Sequence, residues 1–149
     1  MAPSKPVKRS WEDYFIPGTT VLRNKFTGPG RPYGETDPDI FRQLEEQFTA
    51  IRLIELWSQP IIGQFDYEHM KSIHKYIFQD VYEWAGEERT APDVPMMKND
   101  HLYYPAGQIL TSEAEKQYSL IAESNYLRGL SREIFVSELA ERWSGLNVV

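Results

Sequence analysis

The chain has 149 residues, no cysteine, 16 Lys plus Arg and 22 Asp plus Glu, for a formal net charge of -6. One domain fits that length, and 41% hydrophobic with 13% aromatic residues can build its core. The balance excludes a disordered protein, a generally basic nucleic-acid binder (a local basic patch aside), disulfides, thiolate catalysis and zinc ribbons.

Met1 to Ser10 is polar and basic, with Lys5, Lys8 and Arg9 but no apolar stretch behind them. It reads as a disordered start and not as a secretory signal. No apolar run anywhere approaches the roughly 18 residues of a membrane helix, so a soluble, cytoplasmic chain is expected. Pro17, Gly18, Gly28, Pro29, Gly30, Pro32 and Gly34 crowd residues 11–35. That density of breakers predicts an ordered but irregular arm, pinned by Trp11, Tyr14, Phe15 and Phe26.

Four helical patterns follow. The first opens at Thr36 or Asp37 with Pro38 in its first turn, and ends near Ser58 to Pro60. Its apolar positions are Phe41, Leu44, Phe48, Ile51, Ile54 and Trp57, in steps of three and four. The second takes Asp66 as N-cap, with Phe65 placed to staple onto Met70. Its inward stripe is Met70, Ile73, Ile77, Val81 and Trp84, and Gly86 is its expected C-cap. Pro92, Pro95 and Pro105, with Asn99-Asp100 between short apolar groups, predict a hairpin or long flap over residues 87–105. A third helix is expected from about Ala106 to Leu127, with Leu110, Ala114, Tyr118 and Ile121 inside. A fourth, capped by Ser131, buries Phe135, Leu139, Trp143 and Leu146. The ending Leu146-Asn147-Val148-Val149 has no Gly cap, basic residue or polar tail. It fits either a chain cut inside a larger fold or an ordinary buried C-terminus.

Local chemistry is sparse. The histidines are His69, His74 and His101. The first two lie about 140° apart around a helix, so they do not form a two-His metal pair. His74 reads as packed, His69 as exposed in the first helical turn, and His101 as part of the flap. No metal site is expected among them. The acidic pairs Glu45 with Glu46 and Glu113 with Glu115 read as solvated helix faces. Gly28-Pro29-Gly30 is neither GxGxxG nor GxxxxGK, and no GxSxG elbow occurs. No catalytic centre is legible in the residues themselves.

Several stretches, in order, carry a resemblance to one known family. Tyr14-Phe15-Ile16-Pro17-Gly18-Thr19-Thr20-Val21-Leu22-Arg23-Asn24-Lys25 is similar to the family's opening segment. Glu46 to Leu56, with Arg52 mid-helix, follows. The most specific piece is Gly63-Gln64-Phe65-Asp66-Tyr67-Glu68-His69-Met70-Lys71, then Ile73-His74, then Phe78-Gln79-Asp80-Val81-Tyr82-Glu83-Trp84-Ala85-Gly86, with Arg89-Thr90 beyond. Lys98-Asn99-Asp100-His101-Leu102-Tyr103 resembles the family's Lys-Gly-aromatic flap segment, with Asn99 where glycine is common, although Ala91 to Met97 is longer than the usual link. Leu127-Arg128-Gly129-Leu130 and Ser144-Gly145-Leu146-Asn147 also fit. Together these stretches resemble the Fic (Fido) family of protein adenylyltransferases, and the resemblance covers residues 14–149.

The resemblance implies an all-α fold, a Fic-type helical bundle with a β-hairpin flap. Residues 1–13 would be a flexible tail and 14–149 a Fic domain incomplete at its C-terminus. It implies transfer of AMP from ATP, with Mg²⁺, to a Tyr, Ser or Thr hydroxyl of a target protein. By resemblance Lys98 and Asn99 lie on the nucleotide side of the flap, and Met97, Lys98, Asn99, Asp100, His101, Leu102 and Tyr103 dock the target. The family's signature loop, H-P-F-x-(D/E)-G-N-(G/K)-R, is expected immediately after Val149 and is not among the 149 residues. That loop holds the general-base histidine, the acidic Mg²⁺ ligand and the phosphate cradle, so the chain alone is expected to be inactive and no catalytic or metal residue is assigned within it. The family's inhibitory (S/T)-x-x-x-E-(G/N) motif has near misses only, among them Thr111 to Lys116 and Ser119 to Ser124. The resemblance is therefore to bacterial toxin subunits restrained by a separate small antitoxin, with no direct nucleic-acid binding and no membrane. An inhibitory helix beyond Val149 is the other possibility left open. The rival to an enzyme is a non-enzymatic helical binding module, or a truncated remnant that binds an antitoxin.

Overall fold

The computed structural model describes residues 7–147. Its elements run α1 (Pro38–Ser58), α2 (Tyr67–Phe78), β1 (Met96–Lys98), β2 (His101–Tyr103), α3 (Gln108–Glu123) and α4 (Arg132–Leu146), with short 3-10 turns at Glu12–Tyr14 and Asn125–Leu127. Among the described residues no helix is long and apolar enough to cross a membrane. The mostly helical fold with one antiparallel hairpin agrees with the sequence reading.

The core sits where the arm meets the first two helices. Ile16, Val21, Phe41, Val81 and Tyr82 form it, with Leu22, Phe26, Phe78 and Trp84 packed against them. The arm is ordered without regular structure because its backbone finds partners of its own. Ile16 N–H donates to Val21 O at 2.9 Å, and Lys25 N–H to Val81 O at 2.9 Å. Buried Asn24 acts as a short stretch of strand, its Oδ1 accepting from Glu35 N–H at 2.9 Å and its Nδ2 donating to Glu35 O at 3.1 Å. Gly34, at φ +113°, is required beside it, since a Cβ there would lie 2.5 Å from Asn24 O.

The expected caps of three helices are in place. Asp37 accepts from Asp39 N–H and Ile40 N–H, Asp66 from His69 N–H, and Ser131 from Ile134 N–H. Other boundaries move. α2 stops at Phe78, so Val81 and Trp84 lie in the turn beyond it. The cause is non-local, because Val81 O serves Lys25 and the Asp80 carboxylate is held by Arg52 on α1 at 2.7 and 3.1 Å. Gly86 therefore does not cap α2 but packs on its side. Its N–H donates to His74 Nδ1 at 2.9 Å, and a Cβ would lie 2.6 Å from that of Lys75. α3 ends at Glu123, short of Leu127, where Asn125, Tyr126 and Leu127 all adopt positive φ. Phe65 lies edge-on to His69 with centroids 5.5 Å apart, while Met70 is exposed, so the expected staple gives way to an aromatic contact.

The apolar stripes of α1 and α4 are covered only in part: Phe41 is buried, and Leu44 and Leu146 are half-buried. The helices meet in chain order, α1 on α2, α2 on α3 and α3 on α4, and α1 does not reach α4. Phe48, Ile51, Ile54 and Trp57 on α1, and Phe135, Leu139 and Trp143 on α4, are exposed. Periodicity marks the apolar side of a helix without supplying the element that covers it. On α3 the reading holds, with Leu110 and Ala114 buried and Tyr118 and Ile121 half-buried.

Residues 1–6 of the expected tail lie outside the described residues, as do Val148 and Val149. Within the rest of that tail, Arg9 pairs with Glu87 at 3.1 Å and lies 5.5 Å over the Trp84 ring.

Candidate functional site

The flap is a two-stranded antiparallel hairpin in the register Met96 to Tyr103, Met97 to Leu102 and Lys98 to His101. Two residues, Asn99 and Asp100, close it at φ +50° and +61°. This is the left-handed pair that a type I′ turn needs, and Asn and Asp tolerate it better than other side chains with a Cβ. The substitution of Asn99 for a common glycine is therefore compatible with the turn.

Strand alternation sorts the flap residues into two faces. Met96, Lys98, His101 and Tyr103 share one face, and Met96 and Tyr103 are its half-buried members. Met97 and Leu102 share the other, 65% and 59% exposed. The Lys98–His101 pair flanks a two-residue turn and so exchanges both ladder bonds, which leaves the Met97 and Leu102 N–H and C=O groups pointing outward along the two edges. Neither strand packs on any other described helix or strand. The structure thus brings Met97, Lys98, Asn99, Asp100, His101, Leu102 and Tyr103 together on one free-standing hairpin.

The other histidines have structural partners. His69 is half-buried, not exposed as expected. Its Nδ1 accepts from Phe65 N–H at 3.2 Å and its Nε2 meets Ile61 O at 2.9 Å, which sets the Nε2–H tautomer. His74 is packed as expected, 4.7 Å from the Phe78 ring centroid. Among the described residues no three of His, Asp and Glu come together as a metal site would require. Burial holds the His74 pKa below its ordinary 6.5. Between that depressed value and 6.5 the unfolded chain takes up a proton that the folded chain refuses, so stability is complete above pH 6.5 and falls as the pH drops through the window. Protonation also removes the acceptor for Gly86 N–H. Unfolding midpoints measured from about pH 7 to about pH 5.5 are expected to fall, and the slope to flatten in His74→Asn. An equal slope in the variant would contradict the assignment.

Sequence reasoning missed the polar ties between helices. Arg52 donates to Asp80 in two bonds and to Glu55 at 2.9 Å, and Tyr76 O–H donates to Glu55 at 2.9 Å. Hydrogen bonds from Arg52 hold both carboxyls below their usual range. Glu45, read as solvated, accepts from Tyr82 O–H at 2.6 Å. Burial and then that bond push the Tyr82 phenol upward. The available signal was Arg52 in mid-helix, but nothing local pointed to Asp80. Thr111, in one near miss to the inhibitory motif, donates to Glu88 at 2.7 Å.

No family model matches the chain. It is 33% identical over 139 residues to the protein adenylyltransferase VbhT of Bartonella schoenbuchensis, over 84% of this chain and 28% of that protein. Its fold matches the N-terminal Fic domain of a VirB-translocated effector from Bartonella sp. 1-1C at a TM-score of 0.77 and 27% identity, over 92% of this chain and 65% of that one. A corresponding Fic domain from Bartonella quintana, solved with bound ADP, matches at a TM-score of 0.71 and 25% identity, over 92% and 66%. The chain therefore spans 28% of the first relative and about two thirds of each solved domain.

Proposed function

Because this chain belongs to the Fic (Fido) family, we propose that it serves the transfer of AMP from ATP to a Tyr, Ser or Thr hydroxyl of a target protein. In that reaction the acceptor oxygen bonds to the α-phosphorus, the bond to pyrophosphate breaks, and the hydroxyl proton passes to a base. The base belongs to the family's signature loop, which these 149 residues do not contain. The described residues gather no ligand set for Mg²⁺, so no step is assigned to the metal here.

The observation that carries the proposal is the free-standing hairpin with outward backbone groups at Met97 and Leu102. An extended target segment can pair with such an edge, which fixes its hydroxyl relative to the nucleotide. Lys98 shares the face of half-buried Met96 and Tyr103, which supports its place toward the nucleotide, with Asn99 at the turn. Regulation by a separate small antitoxin, in the cytoplasm of a bacterium, belongs to the same proposal. That part rests on the family resemblance alone.

The test uses a longer chain that includes the signature loop. Lys98→Ala is expected to raise the KM for ATP about tenfold, the size of one charge-assisted contact of about 1.4 kcal/mol. Met97→Pro removes an outward donor without touching the hairpin's own bonds. It is expected to lower kcat/KM for the target about tenfold or more while leaving ATP binding in place. Unchanged target modification in both variants would remove the hairpin from the mechanism.

A further inference from the structure

The hairpin packs on no other element, so its direction is set at its root. The root has two legs. Arg89 donates a side-chain bond to Tyr104 O, and Ala106 N–H donates to Pro92 O at 2.8 Å, which ties one leg to the other. Glu88 ties the rising leg to α3 through Thr111.

A third tie comes from the far end of the sequence. Arg9 N–H donates to Thr90 Oγ1 at 2.7 Å, and Thr90 Oγ1 donates to Arg9 O at 2.9 Å. One threonine hydroxyl thus satisfies both backbone groups of a residue 81 positions away. Thr90 N–H donates to Tyr14 Oη at 2.9 Å, and Arg9 also pairs with Glu87. The segment that makes these bonds is stiffened locally. Ser10 N–H donates to Asp13 Oδ2 at 2.8 Å and Asp13 N–H to Ser10 Oγ at 3.3 Å, a reciprocal box that starts the 3-10 turn carrying Tyr14. The Ser10 bonds hold the Asp13 carboxyl below its usual range. Tyr14 is buried and packs edge-on to Trp84 at 5.0 Å.

We propose that residues 9–14 are a clamp that aims the hairpin, with Arg9, Tyr14 and Thr90 as positioning residues for target docking. The clamp itself rests on the structure, and its consequence for catalysis rests on the function proposed above. Bonds at the root act on the tip with the leverage of the whole hairpin, so a loose root spreads the tip over many directions. Target docking then suffers most, and the nucleotide contact of Lys98, on the same hairpin, weakens with it.

The 149 residues hold no cysteine, so once any cysteine beyond them is replaced, a labelled pair makes the clamp measurable. Spin labels at His101→Cys on the hairpin and Gln47→Cys on α1 report the spread of tip positions in the longer chain. Thr90→Val and Tyr14→Phe are expected to broaden that distance distribution, and Thr90→Ser, which keeps the hydroxyl, to preserve it. In the unlabelled longer chain, Thr90→Val is expected to raise the KM for the target protein about tenfold, and the KM for ATP by less than Lys98→Ala does. A distribution as narrow as the parent's in both Thr90→Val and Tyr14→Phe would overturn the clamp, as would equal broadening by Thr90→Ser. Should Thr90→Val not fold, Tyr14→Phe decides alone. Broadening with unchanged target kinetics would uphold the clamp and count against the docking role of the hairpin.

Discussion

The 149-residue chain, incubated with labelled ATP, Mg²⁺ and a cell lysate, is expected to label no protein, at least about 10⁴-fold below a longer chain that carries the signature loop. The size follows from what the loop supplies. A positioned general base contributes about 10²–10⁴ in rate, and oriented donors on the phosphates about 10²–10³ more. None of His69, His74 and His101 replaces that base. His69 and His74 are engaged in backbone bonds, and His101 stands on the hairpin. Incorporation that depends on the 149-residue chain would contradict this, and would place a catalytic group where none is assigned.

The second large effect concerns association. Trp57 is 93% exposed, Ile54 71% and Ile62 90%, and on α4 Trp143 is 68% exposed. Large apolar side chains contribute about 1.5–3 kcal/mol each when fully buried. Contiguous exposed apolar faces of this kind drive association. The 149-residue chain is therefore expected to self-associate or aggregate at micromolar concentration, and a covering partner to restore solubility. Trp57→Gln combined with Trp143→Gln is expected to shift sedimentation toward the monomer. A parent chain that sediments as a monomer and melts sharply at high temperature would contradict the account. The same apolar faces are what a non-enzymatic binding module would use, so the activity of the longer chain separates the two readings.

The parts of the fold that were legible in the sequence are those decided within a few residues. Asp37, Asp66 and Ser131 cap their helices because a short acceptor side chain precedes an apolar-periodic run. Asn99-Asp100 closes the hairpin because both residues accept a left-handed conformation. The illegible parts were decided at a distance. The end of α2 depends on Lys25 and Arg52, and the setting of Gly86 on its approach to Lys75. The apolar stripes of α1 and α4 were read correctly as stripes, but their exposure depends on elements they do not meet. At the candidate site, turn chemistry made the hairpin legible, while the roles of its residues rest on the family resemblance. The tie between Arg9 and Thr90 was invisible, because no local pattern links positions so far apart.

The most direct test of the proposed function asks which phosphate moves. The longer chain, carrying the signature loop, is incubated with its target protein and with ATP labelled either at the α-phosphate or at the γ-phosphate. AMP transfer predicts that the α-label becomes covalently attached to the target, that pyrophosphate is released in equal amount, and that Met97→Pro suppresses the labelling. Label from the γ-phosphate, or no label from either position, would contradict the account.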